Sequence, residues 1–394
     1  MADPRSSRRS GILIDKYGVL LVSGYRTHQE NYSEFFLNDP RCKLIAVTDE
    51  SDIPDRRADL NRKFASDICL PYIEHLDDAL ARDDVDIVSI CAEHERRGRI
   101  AVKCALAGKH LYLDKPMTCS IEDSDAVVAA VESAGVKSQV FSFVHNPWVK
   151  PARKILDSGE IGELLAIHCD VMFAKGYSGT APLGKHRVQD PEPKRFTFID
   201  SKRELRATGV YSVGLIRWLT GLDARSVFGV TENYFFAEHL NNDVEDFGLL
   251  AITLDNDIPA TIAAGRIGYK SHPSHGPMRV HLVGTKGLIT VDAYKPRVEL
   301  YGNKPSWEPP VLNPEDPMGF WNSTYRDSIP KSVWQPLASG VSSNDASCFI
   351  DCIESGNESE VSAKDGAAQV EILMAGYISA STGDVVELPL PRTN

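Results

Sequence analysis

Short apolar runs alternate with helix-like stretches through the first 145 residues, and this alternation constrains the fold more than any other feature. Strands that alternate with helices form parallel sheets covered by helices on both faces. The sequence therefore predicts a doubly wound α/β domain over residues 1–145. Its five predicted strands are residues 17–23, 44–48, 85–91, 110–113 and 140–144, and two of the helices between them are residues 99–107 and 121–134.

The pattern changes after about residue 145. Longer strand-like runs now follow one another through turn-like links, which is typical of an open, mostly antiparallel sheet. We therefore expect a second α/β domain at residues 146–345, with C-terminal helices and a final strand at residues 346–394 closing onto it. The predicted strands are residues 164–173, 226–236, 247–254, 260–268, 278–283, 288–291 and 297–301. The predicted helices are residues 150–158, 205–219, 344–354 and 364–380, and residues 302–340 are predicted to form a long arm or loop.

The chain has a formal net charge of −12 and no basic stripe. An acidic surface argues against non-specific binding to nucleic acid or to anionic membranes. No apolar run approaches the roughly 20 residues of a membrane helix. The eight cysteines are scattered without zinc-site spacing, so we expect reduced thiols in a cytoplasmic protein and no metal site.

The turn after the first predicted strand is where a Rossmann fold binds the pyrophosphate of a dinucleotide. The usual fingerprint is G-x-G-x-x-G, and residues 24–29 (GYRTHQ) keep only Gly24. Arg26 takes the place of the second glycine, and its guanidinium can bind a phosphate or its bulk can obstruct one. Asp49 ends the second strand, where a carboxylate binds ribose hydroxyls and disfavours the 2′-phosphate of NADP. These residues predict NAD as the coenzyme and leave NADP open.

Residues 107–116 (AGKHLYLDKP) resemble a motif of the Gfo/Idh/MocA family of sugar and polyol dehydrogenases, in which A-G-K-H-V precedes E-K-P. Asp114 stands in place of the usual glutamate. The likeness continues in order along the chain, at residues 156–162 (LDSGEIG), 217–221 (RWLTG), 283–287 (VGTKG), 361–366 (VSAKDG) and 386–389 (VELP).

The resemblance implies a Rossmann domain followed by an open α/β domain whose sheet often mediates homodimers or homotetramers. It also implies that Lys115 lies between the nicotinamide and the substrate hydroxyl. A cation in that position stabilises an alkoxide as hydride leaves carbon.

The second-domain helix departs from the family pattern D-x-G-x-H-x-x-D, whose positions here are Ala207, Gly209, Tyr211 and Gly214. Tyr211 thus replaces the family's catalytic histidine, as a tyrosine does in some branches of the family. A phenol, with an ordinary pKa of about 10, suits proton donation to a carbonyl beside a cation. We expect Lys115 and Tyr211 to be the catalytic pair, and the alternative is a core tyrosine on an amphipathic helix.

The loop after the third predicted strand, residues 92–97 (AEHERR), also departs from the family text. Ligands bind at the carboxyl ends of such strands, so Cys91 and Glu93 are candidate coenzyme contacts. A charged, solvated loop is the alternative.

Two further residues are candidate substrate contacts. Residues 143–146 (FVHN) replace a usual N-R-R stretch, which suggests that His145 contacts an altered substrate. Arg187 lies in a polar segment before the Tyr211 helix and could bind an acidic sugar or a phosphate.

The residues and the resemblance together predict an NAD(P)-dependent oxidoreductase acting on a hydroxyl or keto group of a sugar, cyclitol or sugar derivative. One alternative is glycoside cleavage or elimination, in which a bound NAD is reduced and then regenerated. Another is a non-catalytic regulatory relative that senses NAD or a sugar, because two glycines, two carboxylates and the histidine of the family pattern are missing.

Overall fold

The computed structural model describes residues 16–174, 203–241, 243–268, 277–293, 297–302, 331–336 and 345–392. Within these ranges the chain forms two sheets, and the strands of the first all precede those of the second in the sequence. No helix in these ranges combines the length and the apolar character that crossing a bilayer requires.

The first sheet contains six parallel strands in the order β3-β2-β1-β4-β5-β6. This order is that of the Rossmann fold, so the predicted fold of the first domain is confirmed. The strands are β1 (Tyr17–Val22), β2 (Cys42–Thr48), β3 (Tyr72–Ile73), β4 (Ile87–Ile90), β5 (His110–Leu113) and β6 (Ser138–Val140). The sequence pattern missed β3 because a strand of two half-buried residues leaves no apolar run.

Five helices cover the two faces of this sheet. Helix α5 shows how local sequence sets their ends, because the Ser120 hydroxyl accepts a hydrogen bond from the amide of Asp123 at its start and Gly135 adopts the left-handed conformation at its end. The helices are α1 (Gln29–Leu37), α2 (Asp55–Asp67), α3 (Leu76–Leu80), α4 (His94–Leu106) and α5 (Ile121–Ala134).

The second sheet has nine strands in the order β14-β13-β12-β11-β7-β10-β9-β8-β15. Only the β7/β10 pair is parallel among the described strand pairs of this sheet, which confirms the predicted open, mostly antiparallel sheet. The strands are β7 (Leu164–Phe173), β8 (Ala224–Glu232), β9 (Phe247–Leu254), β10 (Pro259–Arg266), β11 (Met278–Gly284), β12 (Gly287–Asp292), β13 (Arg297–Gly302), β14 (Lys331–Pro336) and β15 (Val386–Glu387). Strand β14 falls within the segment for which the sequence predicted only an arm or loop.

Helices cover one face of this sheet. Helix α7 (Glu204–Thr220) lies against β7 and β10, and α10 (Ala363–Thr382) lies against β8. Helix α10 also contacts α5 and β6 of the first domain. It therefore joins the two domains and helps to hold α7 over the edge of the Rossmann sheet. Two shorter helices complete this part of the described chain, α6 (Lys150–Asp157) and α8 (Ala237–Asn241).

The C-terminal region does not close onto the second domain alone, and this corrects the expectation for residues 346–394. Helix α9 (Asp345–Ser355) packs against α1 of the first domain. Its residues Ala346, Phe349 and Ile350 are fully buried in the Rossmann core. Their spacing places them on one face of the helix and predicts that this face is buried. The spacing does not show which domain buries it, so the sequence could not distinguish the two.

Candidate active site

A cavity of about 410 Å³ lies where the carboxyl ends of β1, β4 and β5 approach helix α7. This volume is within the range of small-molecule sites, and this edge of a parallel sheet is where ligands bind. Five of the predicted site residues line the cavity: Arg26, Cys91, Glu93, Lys115 and Tyr211. The folded chain thus brings together residues that are far apart in the sequence.

Lys115 follows β5 and is 7% exposed. Its ammonium donates a hydrogen bond to the carbonyl oxygen of Ala207 on α7, with Nζ 2.7 Å from that oxygen. Nζ also lies 4.4 Å from the centre of the Tyr211 ring. A cation over an aromatic face is stabilised by the ring electrons, so the two predicted catalytic residues are in direct contact.

Tyr211 lies in an aromatic layer at the second-domain side of the cavity. Its ring stacks on Phe143 with 3.9 Å between ring centres and 3° between planes, and Phe173 meets it edge-on. Burial raises the pKa of the Tyr211 hydroxyl well above its usual range, and the charges of Asp114 and Asp345 add to this effect. Tyr211 is therefore a neutral phenol at physiological pH, whose hydroxyl can donate a hydrogen bond but releases its proton less readily than an ordinary tyrosine.

Asp114 precedes Lys115 and accepts hydrogen bonds from several parts of the first domain. Its Oδ1 lies 2.8 Å from Nδ1 of His28, from the Tyr32 hydroxyl and from the Lys115 amide, and Oδ2 accepts from Nη2 of Arg97 at 2.9 Å. Burial alone raises the pKa of this carboxyl, but the charges of His28 and Arg97 outweigh burial and hold the pKa well below its usual range. Asp114 is therefore an ionised carboxylate at the floor of the site.

The turn after β1 keeps the strand–glycine–helix arrangement that holds a pyrophosphate. A Cβ atom at Gly24 would lie 2.9 Å from Cβ of Phe64, so glycine allows the turn to pack against α2. Arg26 is exposed and adopts a positive φ of 62°. Helix α1 begins at Gln29, and a helix N-terminus favours an anion. The turn therefore fits a dinucleotide, with the Arg26 side chain where the fingerprint has its second glycine.

Asp49 directly follows β2, as predicted, but it is fully buried and does not line the cavity. The guanidinium of Arg96 holds both carboxylate oxygens, with Nη2 3.0 Å from Oδ2 and Nη1 on Oδ1. Asn61 and Ser23 also donate hydrogen bonds to Oδ2, at 2.7 and 3.2 Å. A ribose hydroxyl would have to compete with these partners, so the ribose contact of Asp49 stays a prediction.

Glu93 and Cys91 line the cavity at the end of β4. Glu93 Oε1 accepts from Arg57 at 2.8 Å and Oε2 accepts from Arg96 at 2.6 Å. Burial alone raises the pKa of Glu93, but the charges of these two arginines lower it below its ordinary value. Burial raises the pKa of the Cys91 thiol well above its usual range, so this thiol is neutral and contributes shape rather than charge.

His145 is buried away from the cavity. Its Nε2 lies 3.7 Å from Oδ1 of Asp345, and its Nδ1 lies 3.3 Å from Oε2 of Glu360. This location does not support the predicted substrate contact and instead ties a 3-10 helix (Phe143–His145) to the C-terminal region. Arg187 lies outside the described residues.

The described residues contain no group of three or more His, Cys, Asp or Glu side chains arranged to hold a metal ion.

Two family models match the chain, and together they cover more than half of it. The Rossmann-fold model of the NAD-binding oxidoreductase family matches residues 20–142, and the GFO/IDH/MocA C-terminal domain model matches residues 149–290. The chain belongs to the GFO/IDH/MocA oxidoreductase family. The resemblance drawn from the sequence is thus confirmed.

Individual members of this oxidoreductase family are similar to the chain at low identity. The oxidoreductase YrbE of Bacillus subtilis is 23% identical over 92% of this chain and 93% of its own length. The scyllo-inositol 2-dehydrogenase (NAD⁺) of the same organism is 26% identical over 64% of this chain and 67% of its own length. The crystal structure of GenD2 from gentamicin A biosynthesis, in complex with NAD, superposes with a TM-score of 0.70 at 22% identity, covering 97% of this chain and 99% of that one. This structural likeness shows the shared fold.

Several residues of this oxidoreductase site were missed by the sequence reasoning. His28, Phe143, Phe173 and Arg266 all line the cavity. Each belongs to a different part of the chain, and none carries a motif of its own. Two of them had a detectable signal, since His28 lies in the turn that replaces the glycine fingerprint and Phe143 begins the stretch that replaces N-R-R.

Proposed function

We propose that the protein is an NAD-dependent oxidoreductase that interconverts a hydroxyl and a keto group on a sugar or cyclitol. The observation that carries the proposal is the buried Lys115 ammonium. It lies at the carboxyl edge of an NAD-binding Rossmann sheet, where it contacts Tyr211. Both side chains line a cavity of about 410 Å³.

The first domain supplies the coenzyme contacts of the proposal. The turn at Gly24 and Arg26, with the N-terminus of α1, would hold the pyrophosphate, and Cys91 and Glu93 would lie beside the nicotinamide half. A bound nicotinamide supplies the hydride acceptor or donor. Asp49 would bind the adenosine ribose only if Arg96 shares or releases its carboxylate.

The ammonium of Lys115 would stabilise negative charge on the substrate oxygen. One partner of the ammonium is the neutral carbonyl of Ala207, and a developing oxyanion would compete favourably with that carbonyl for the donor. Tyr211 is neutral, so its hydroxyl can donate a hydrogen bond to the same substrate oxygen.

The lining of the cavity supports a polyhydroxylated ring as substrate. Phe143, Phe173 and Tyr211 present aromatic surface suited to the C–H groups of a sugar ring, while Thr208 and Arg266 can bind hydroxyl groups.

A retained coenzyme and a substrate panel test the proposal. We expect mass spectrometry of the denatured protein to detect NAD, and at least one of scyllo-inositol, myo-inositol and D-glucose to reduce NAD⁺. Oxidation-linked elimination would consume substrate without a net change in nicotinamide absorbance. A regulatory relative would bind NAD or a sugar without turnover, and that result would refute the enzymatic proposal.

Replacing Lys115 with Met should lower turnover by about 10²-fold or more, because the group that stabilises the oxyanion is lost. Lys63→Met is the matched control, since Lys63 is an exposed lysine on α2 paired with Asp67. Circular dichroism should show that both variants are folded. Unchanged turnover in a folded Lys115→Met protein would contradict the role given to the lysine.

We also propose that the protein is cytoplasmic and forms a homodimer or homotetramer through the outer face of the second sheet. Phe228, Val230 and Leu249 are each 38–40% exposed on that face. All eight cysteines are free thiols, in keeping with a reducing compartment. Size-exclusion chromatography with light scattering tests the assembly, and a monomer at micromolar concentration would refute it.

A further inference from the structure

His28 occupies the last position before α1, in the turn that binds pyrophosphate in a Rossmann fold. Its side chain lines the cavity and is 41% exposed. Its Nδ1 lies 2.8 Å from Oδ1 of Asp114, the residue that directly precedes Lys115. Asp114 thus holds the imidazole through Nδ1 within the cavity that Lys115 also lines.

The Asp114 carboxylate determines which nitrogen of this ring carries hydrogen. Asp114 is ionised, since Arg97 binds Oδ2 and the Tyr32 hydroxyl and the Lys115 amide both donate to Oδ1. An ionised carboxylate can only accept, so Nδ1 of His28 must donate to it. Nε2 is then the basic nitrogen of the neutral ring, and Asp114 stabilises the imidazolium that forms when Nε2 takes up a proton.

The other two groups of the site are less suited to accept a proton. Tyr211 is 6% exposed and is stacked on Phe143, and its hydroxyl holds its proton at physiological pH. The side-chain nitrogen of Lys115 acts as a hydrogen-bond donor to the Ala207 carbonyl, which is the role the proposed function gives it toward the substrate oxygen. His28 is much more exposed than either, so a proton that it accepts can pass on to solvent.

Charged groups from several elements surround His28. Asp114 favours a positive charge on the ring, whereas Arg97 and Lys115 oppose it. Further charged groups line the same cavity, namely Arg26 on the turn, Glu93 and Glu95 after β4, and Arg266 on β10. A second histidine of the cavity, His94, begins α4.

We propose that His28, oriented by Asp114, is the general base of the site in the oxidation direction and the corresponding acid in reduction. This inference rests on the proposed function and adds a residue to it. The hydroxyl proton passes to Nε2, and the electron pair of the O–H bond remains on oxygen and becomes the second bond to carbon. The hydride that leaves carbon goes to the NAD⁺ that the proposed function requires, so atoms and charges balance.

The hydrogen-bonded pair can be tested without coenzyme or substrate. In protein labelled with ¹⁵N-histidine, the signals of His28 are those missing from His28→Gln, and we expect hydrogen on Nδ1 when the ring is neutral. Asp114→Asn should move the midpoint of this titration to lower pH, because the carboxylate no longer stabilises the imidazolium. Hydrogen on Nε2 of the neutral ring, or an unchanged midpoint, would overturn the assignment.

Kinetics test the role in proton transfer, using NAD⁺ and a sugar or cyclitol that the unmodified protein oxidises. We expect His28→Ala to lower kcat by about 10²-fold or more and to remove the loss of rate at acidic pH. Added imidazole should restore part of the activity, since the site is open to solvent, and a purely structural residue would not be rescued in this way. His75→Gln is the matched control, as His75 is an exposed histidine before α3.

The two proposals fail in different ways. If the unmodified protein retains NAD but oxidises none of the panel, the proposed function fails, while the ¹⁵N titration still decides whether the His28–Asp114 pair exists. If the protein is an active oxidoreductase and His28→Ala keeps both its rate and its acidic limb, the function stands and the role of His28 is refuted. The role of His28 would also be refuted if the loss of rate at acidic pH disappeared in His94→Gln and not in His28→Ala.

Discussion

Replacing Arg96 with Met tests the buried ion pair that occupies the predicted ribose carboxylate. Asp49 is fully buried, and Arg96 binds both of its oxygens. Removing one partner of such a pair costs about 3–5 kcal/mol, because the other charge stays buried without compensation. Asn61 and Ser23 would still donate to Asp49, and each hydrogen bond contributes about 1 kcal/mol. We therefore expect the free energy of unfolding to fall by about 3 kcal/mol.

Urea unfolding followed by circular dichroism measures this loss. The double variant Asp49→Asn with Arg96→Met should recover part of the stability, since no charge is then left buried at this position. Arg99→Met is the control: Arg99 is exposed and its pair with Glu50 should contribute less than about 1 kcal/mol. A loss below about 1 kcal/mol in Arg96→Met, or a double variant no more stable than the single one, would refute the reasoning.

Two further predictions concern stability. Burial alone lowers the pKa of His145, but the proximity of Cys348 and Glu360 and the charge of Asp345 raise it to about 10. The protonated form is therefore favoured by folding, so its contribution is complete below the ordinary pKa of about 6.5 and is lost as pH rises toward 10. The unfolding midpoint of the unmodified protein should fall over that range relative to His145→Gln, and parallel curves would contradict the assignment. Gly18→Ala places a Cβ atom 1.7 Å from the carbonyl oxygen of Asp84 and should cost about 3 kcal/mol or more in urea unfolding. Gly108→Ala meets no atom within 4 Å and should cost only about 1–2 kcal/mol for its positive φ. Equal losses in the two glycine variants would show that the close approach at Gly18 is readily relieved.

Local signals in the sequence were sufficient for most elements of the fold. The predicted helix at residues 121–134 and the predicted strands at residues 164–173 and 247–254 match α5, β7 and β9 in their bounds. Each of these elements is bounded by residues that act locally, such as the Ser120 cap and Gly135. The two-residue strand β3 and the edge strand β14 were missed because they depend on pairing with a neighbouring strand.

The site was predicted only in part. The resemblance around residues 107–116 pointed to Lys115, and the departure from its pattern pointed to Tyr211, and the structure brings the two side chains into contact. Asp49 was predicted from its position at a strand end, but position alone does not show that Arg96 binds the carboxylate. His145 was predicted to contact the substrate because its stretch departs from the family motif. In the structure its partners are instead Asp345 and Glu360, which come from the C-terminal region.

The sequence by itself determined most of the order of strands and helices, the Rossmann domain and the coenzyme class, and it pointed to Lys115, because these depend on short-range periodicity and on contiguous motifs. Tertiary structure alone decided that α9 packs on the first domain, that Asp49 is paired, and that His28 meets Asp114. Such contacts join residues separated by tens to hundreds of positions, and the energy of a buried charge depends on which partner the fold brings to it.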